Sequence, residues 1–334
     1  MTGLTEPIKA TGLKIGKVIT QDVLHFTGGL RGHRNGPAWQ IGPVKTEAGL
    51  QVVGSFQDKE LKSLAQAMGL SIFGANETSL LDPHLPYSNW RPLIGPPQLK
   101  FMPDDSWGMI SFHANSAGDK VWAGLARNLS IALRAAGLQL RNASDQYERQ
   151  LVAALERGQK AGRRFSNTAL TELHLACHSV LAEMASARDY LASMAARRVN
   201  ASANIEALNR LQDWLGKPAN APANDDPLVR ALKAATDKSA DPWLTDLGDY
   251  RNLFLHRQPM GADEHARFLT LELCAGPVEN AHVISMKMAQ HQGSAETCEI
   301  LCRLVELHRK LMRLADFAAS TAPYPAEPPQ VNAN

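Results

Sequence analysis

Leu244-Thr245-Asp246-Leu247-Gly248-Asp249-Tyr250-Arg251-Asn252-Leu253-Phe254-Leu255-His256 is the stretch on which the reading of this chain turns. Just before it, Asp241-Pro242 offers an N-cap followed by proline at the first helical position, so a helix starts there. At about 100° per residue, Leu244, Leu247, Phe254 and Leu255 lie within roughly 60° of Arg251 and form one apolar stripe with a guanidinium in its middle. A guanidinium keeps its charge and five donors at any ordinary pH, so hiding it demands an acceptor or an anion. Asp249, Asn252 and His256, at i, i+3 and i+7, stack along the other side of the helix. Arg257 follows, and Gln258-Pro259 ends the element.

The run Arg251-Asn252-Leu253-Phe254-Leu255-His256, with Asp249-Tyr250 before it and Arg257 after it, resembles the Arg-polar-x-x-x-His signature of HEPN domains (higher eukaryotes and prokaryotes nucleotide-binding). These are helical modules found in many RNases, toxins and defence proteins. The resemblance covers about residues 140–320 and says nothing about the first third. It implies an endoribonuclease that needs no metal or other cofactor, in which a ribose 2′-hydroxyl attacks the neighbouring phosphate. Arg251 would stabilise charge on the phosphorane oxygens, and His256 would carry a proton. Asn252 would orient the phosphate or the imidazole, and Asp249, Tyr250 and Arg257 would contact substrate. RNA is then the expected partner and a homodimer the expected assembly, because family members usually pair two such helices. A toxin or defence role leaves room for an antitoxin or other regulatory partner.

Two alternatives stand beside this reading. Arg251 can be structural, snorkelling from the stripe or meeting a carboxylate. The module can also be non-catalytic, binding a nucleotide or an RNA end, or serving only to dimerise. Arg303 and His308 repeat the spacing, but Leu304 follows the arginine inside an ordinary amphipathic pattern, so that pair is read as a decoy.

The 334 residues suffice for two globular domains, and a net charge of +2 argues against a general nucleic-acid binder. Charge is uneven: residues 118–217 carry 14 Lys/Arg against 9 Asp/Glu, and residues 218–334 carry 11 against 15. A basic block beside Arg251 suits an RNA ligand. Met1 to Gly12 lacks the apolar core of a signal peptide, and no apolar run reaches the ~20 residues that cross a bilayer. Cys177, Cys274, Cys298 and Cys302 form no Cys-x-x-Cys pair and read as reduced core residues in helical context, which places the protein in the cytoplasm without membrane association.

The fold expected is an α+β domain over 1–116, an all-α, HEPN-like helical bundle over 117–320, and a disordered, proline-rich tail over 321–334. In the first part, β-compatible runs at Leu13–Ile19, Asp22–Phe26, Ala38–Val44 and Leu50–Phe56 are separated by turn signals, with a helix at Gln57–Met68 and a last β-like segment at Ser106–His113. Asp82–Pro86 and Leu93–Pro97 read as proline-rich extended chain. Thr27-Gly28-Gly29-Leu30-Arg31-Gly32-His33-Arg34 lacks the ending of a phosphate loop and reads as a glycine-rich hairpin loop. In the second part, helices are expected at about 119–136, 144–160, 167–198, 204–215, 227–236, 262–274, 277–290 and 295–319, besides the one carrying Arg251. His174 and His178 have the spacing of metal ligands on a helix. Leu175 occupies the place where a zinc-protease motif needs glutamate, and no third ligand is evident, so packing or lining of the Arg251 pocket is the preferred role.

Overall fold

The computed structural model describes residues 20–79, 87–95, 101–202, 204–290 and 295–328. The expectations for Met1–Gly12, Leu13–Ile19 and Asp82–Pro86, and for the ends of the Leu93–Pro97 stretch and of the tail, fall outside these residues. An antiparallel sheet forms the N-terminal region and the remainder is largely helical, so the chain is mixed α+β. The first sheet holds β1 (Thr20–Phe26), β2 (Arg31–Asn35), β3 (Ala38–Thr46), β4 (Gly49–Phe56), β5 (Ile72–Ser79) and β6 (Tyr87–Pro92) in the order β4-β3-β2-β1-β5-β6. A short helix, α1 (Leu61–Ala67), connects β4 to β5. The turn between β1 and β2 uses Gly28 and Gly29 at φ 79° and 93°. A side chain on Gly28 would collide with Val283, and one on Gly29 with the backbone of Tyr147. The first half of the glycine-rich stretch, Thr27–Leu30, is thus a hairpin turn that brings the sheet against the rest of the molecule, while Arg31–Arg34, expected in the loop, belong to β2.

Seven further helices follow: α2 (Pro103–Ser116), α3 (Lys120–Glu156), α4 (Leu170–Arg198), α5 (Leu208–Leu215), α6 (Pro227–Ala234), α7 (Trp243–Asn252) and α8 (Ile300–Ser320). Several differ from the sequence reading. Ser106–His113 is helical because Pro103 takes the first position with Asp104 and Asp105 in the first turn, and because Trp107, Ile110 and Ala114 bury one stripe. The helices expected at 119–136 and 144–160 are one 37-residue helix, started by Asp119, whose carboxylate accepts from Trp122 N at 3.0 Å. Gly137 does not end it: a helical glycine costs about 1 kcal/mol, which burial of Leu133, Ala136 and Leu140 around it offsets.

The stretches 262–274 and 277–290 are not helices, and the region 117–320 is therefore not all-α. β7 (Arg164–Phe165), β8 (Leu269–Leu273), β9 (His282–Ala289) and β10 (Thr297–Glu299) form a second antiparallel sheet in the order β10-β9-β8-β7. Leu269 and Leu271 point into the core while Thr270 and Glu272 alternate with them, a period of two that the short element length concealed. Cys274 and Cys298 accordingly sit at or in strands rather than in helices, and all four cysteines are free thiols. The tail is ordered at its start: the Tyr324 hydroxyl donates to Asp119 at 3.2 Å and His113 Nε2 donates to the Glu327 carbonyl at 3.0 Å.

One continuous apolar core runs from the first sheet through α2, α3, α4 and α8, and the boundary expected at 116/117 falls between two helices packed on each other. Inside it lies a polar knot. Arg31, 1% exposed, meets Asp145 through Nη2 and Glu148 through Nε, each at 3.1 Å, and donates to Ser144 Oγ at 2.9 Å. His25 lies between Ser144 (3.0 Å from Nδ1) and the Asn76 amide (3.0 Å from Nε2). If the Asn76 amide donates to Nε2, the proton sits on Nδ1 and is given to Ser144. Among the described residues no helix is long and apolar enough to cross a membrane.

Candidate functional site

α7 delivers Arg251, and a π turn over Leu253–Arg257 delivers His256. Pro259 makes Gln258 extended (φ −143°, ψ 97°), and the Gln258 N–H closes the wide turn on the Leu253 carbonyl at 2.8 Å. A π turn advances less per residue than an α-helix does, so it carries His256 back toward the Arg251 side. Asn252, His256 and Arg257 are exposed and Arg251 is half-buried. Arg251 Nη1 donates to Asn252 Oδ1 at 3.1 Å, which leaves four of the five guanidinium donors unspent among the described residues. Arg251, Asn252, His256 and Arg257 thus share one exposed turn, together with the exposed Asp249 a turn earlier.

The apolar stripe is real but is covered within the chain. Leu244 and Leu247 are fully buried and Phe254 nearly so, against α4 and α8, while Leu255 remains 37% exposed. The ring of Phe254 stacks on His178 (centroids 6.2 Å) and on Tyr250 (6.4 Å). Arg251 therefore reaches out at the edge of the stripe, and the stripe alone does not require a second chain. Tyr250, expected to contact substrate, is turned inward: its hydroxyl donates to the Gln290 carbonyl at the end of β9, and burial raises its pKa well above the ordinary value. It anchors the helix rather than offering a surface.

Arg303 and His308 behave differently. Arg303 Nη2 meets Asp246 at 2.6 Å and Nη1 meets Glu306 at 2.8 Å, and its guanidinium lies 6.0 Å from the centre of the Tyr250 ring. His308 is 2% exposed in the core. One Arg/His pair is neutralised and enclosed, the other charged and open.

His174 and His178 face the same seam as packing residues. His174 Nε2 donates to the Ala266 carbonyl at 3.0 Å, and His178 Nε2 accepts from Met260 N at 3.3 Å. Burial lowers both pKa values. Among the described residues no group of three or more His, Cys, Asp or Glu has the arrangement of a metal site. Arg188 of α4 is a neighbour the sequence reading missed. Its Nη1 occupies the space that a side chain on Gly248 would need, one turn before Arg251, while Nε holds Asp189 at 3.0 Å. Only the glycine inside α7 hinted at such an approach.

Two core histidines set a pH response. Burial, aided by Arg31 and Arg141, lowers the His25 pKa from 6.5 to about 2; burial, aided by Arg309, lowers that of His308 to about 4. The unfolded chain takes up these protons near pH 6.5, whereas the folded chain resists. Stability is therefore full above pH 6.5 and falls below it by about 1.4 kcal/mol per pH unit for each histidine. The His308 share is exhausted near pH 4. Urea midpoints at pH 7 and pH 5 measure this, and His308→Leu should remove the His308 share of the acid loss while those of His25, His174, His178 and His33 remain; an unchanged loss would contradict the assignment.

Comparison with known proteins finds no matching family model, no matching curated protein and no matching solved structure.

Proposed function

We propose that this chain is a HEPN-like, metal-independent endoribonuclease whose site is the exposed turn of Arg251, Asn252 and His256. The observation that carries the reading is the contrast between two pairs of equal spacing. Among the described residues Arg303 has two carboxylate partners, whereas Arg251 has only the neutral amide of Asn252 and is half-exposed. A guanidinium with unspent donors beside an exposed imidazole is suited to a phosphodiester. In the reaction the ribose 2′-oxygen bonds to phosphorus, the bond to the 5′-oxygen breaks, and the hydroxyl proton leaves through a base as the 5′-oxygen gains one. Arg251 stabilises the phosphorane oxygens, His256 carries a proton, and Asn252 holds the guanidinium in place. Arg257 supplies a further phosphate contact.

A homodimer joins two such turns across a two-fold axis, with the exposed Leu255 as part of the contact. Sedimentation at micromolar concentration should give the dimer mass; a monomer would count against this assembly. The second reading, an RNA-binding module without catalysis, draws on the openness of the turn, where nothing among the described residues excludes water from His256. The test is incubation of purified protein with labelled single-stranded RNA and DNA in chelator. Cleavage of RNA alone supports the enzyme, because DNA lacks the attacking hydroxyl. Binding without cleavage supports the module, and cleavage of DNA overturns the mechanism.

A further inference from the structure

Away from the Arg251 turn, two buried side-chain nitrogens, Trp90 Nε1 and His308 Nε2, have no hydrogen-bond partner. They border the same gap: a Cβ on Gly137 of α3 would lie 3.7 Å from the first and 3.8 Å from the second. Buried polar atoms left unmet carry a desolvation penalty, so a pair of them around one opening marks a place built to receive something. The Trp90 ring is fixed from behind, with Gly74 beneath it and His25 edge-on at 4.8 Å.

The gap adjoins a cavity of about 560 Å³ between β6, α2, α3 and α8, within the size range of small-molecule sites. Trp90, Met102, Leu133 and Met312 give it apolar walls, and Arg91, Arg134 and Arg141 stand at its edge. Arg134 is committed to Asp104 at 2.9 Å and Asp105 at 2.8 Å. The other two are weakly held. Arg141 reaches Asp145 only at 3.9 Å, and that carboxylate already serves the buried Arg31. Arg91 meets Glu77 at 3.4 Å with both side chains well exposed. The cavity thus combines apolar walls with cations at the rim that keep spare donors, and the unmet Trp90 N–H is enclosed in its wall.

We propose that this cavity binds a planar heteroaromatic molecule that carries an anionic group. Its ring lies between the apolar walls, against the Trp90 indole, and the anion meets Arg91 and Arg141. Nucleoside monophosphates and heteroaromatic carboxylates share this chemistry. The site is separate from the Arg251 turn and stands whether or not that turn cleaves RNA.

Titration calorimetry of the full chain with UMP, AMP and orotate tests the proposal. Saturable binding of at least one is expected, and the arms tell a nucleotide phosphate from a ring carboxylate. Arg141→Glu, at the rim, should weaken it about tenfold or more. Gly137→Leu should abolish binding by filling the gap, and His256→Ala should bind as the wild type does. Should Gly137→Leu fail to fold, Arg141→Glu still decides the question. No saturable binding of any of the three at millimolar concentration would overturn the proposal and leave the two nitrogens to a buried water. So would binding that Arg141→Glu leaves unchanged.

Discussion

His256→Ala is expected to lower RNA cleavage by about 10²–10⁴-fold, the usual contribution of a positioned proton carrier, and to leave the melting temperature within a few degrees of wild type. The imidazole is exposed and bonded to no other described residue, so its removal opens no cavity and strands no partner. Arg251→Ala should cost about 10²–10³-fold in cleavage, as loss of an oxyanion donor does, again with the fold intact. The decoy pair should behave in the opposite way. Arg303→Ala takes the guanidinium from the nearly buried Asp246 and from beneath Tyr250, at a stability cost of about 3 kcal/mol. Because Tyr250 immediately precedes Arg251, some activity will fall with the fold in that variant. Thermal melts alongside cleavage assays separate the two behaviours. Equal loss of cleavage from surface and core pairs, without loss of stability in the latter, would show that the wrong pair has been assigned.

Arg31→Ala is expected to be the most damaging single substitution for stability, at about 3–5 kcal/mol, enough to lower the melting temperature by roughly 4–7 °C in a chain this long. The guanidinium is 1% exposed and gathers Asp145, Glu148 and Ser144 of α3 onto β2. Without it, two carboxylates and a hydroxyl at the join between sheet and helix lose a shared donor, and a large cavity opens. Arg31→Lys should rescue little, because an ammonium cannot span three acceptors that a planar fork meets together. Arg31→Met should lie between, restoring volume without charge. Chemical denaturation of the three variants checks the order; a loss below about 1 kcal/mol for Arg31→Ala would show that the knot does not hold the join.

The strands β1, β3 and β4 were legible because short β-compatible runs lie between turn signals such as Gly28-Gly29 and Asn35-Gly36-Pro37, and α4 because its apolar stripe is wide and long. What escaped detection depended on distant residues. Gly137 reads locally as a helix stop, yet it is a gap facing Trp90 and His308, whose positions no local pattern reveals. β8 is too short for a period of two to stand out, and β9 buries Val283 to Met286 on both faces and shows no alternation; they become strands by pairing with each other. α2 was hidden because serine, glycine and methionine dilute the stripe of Trp107, Ile110 and Ala114. At the candidate site, Arg251 stood out as a chemical misfit on an apolar stripe, and His256 by its spacing from Arg251 on the polar side. That the stripe would be covered by α4 and α8, that Tyr250 would turn inward to Gln290 and that Arg188 would lie over Gly248 are all facts of tertiary packing.

The most direct measurement of the ribonuclease proposal is the chemistry of the RNA ends formed in chelator. Wild-type protein and His256→Ala are incubated with end-labelled single-stranded RNA, and the products are resolved as cyclic phosphate, 3′-phosphate or 3′-hydroxyl ends. The proposal predicts cyclic phosphate or 3′-phosphate ends, with free 5′-hydroxyls, from the wild type and none from His256→Ala. Products with 3′-hydroxyl ends, or cleavage that appears only when magnesium is restored, would contradict it.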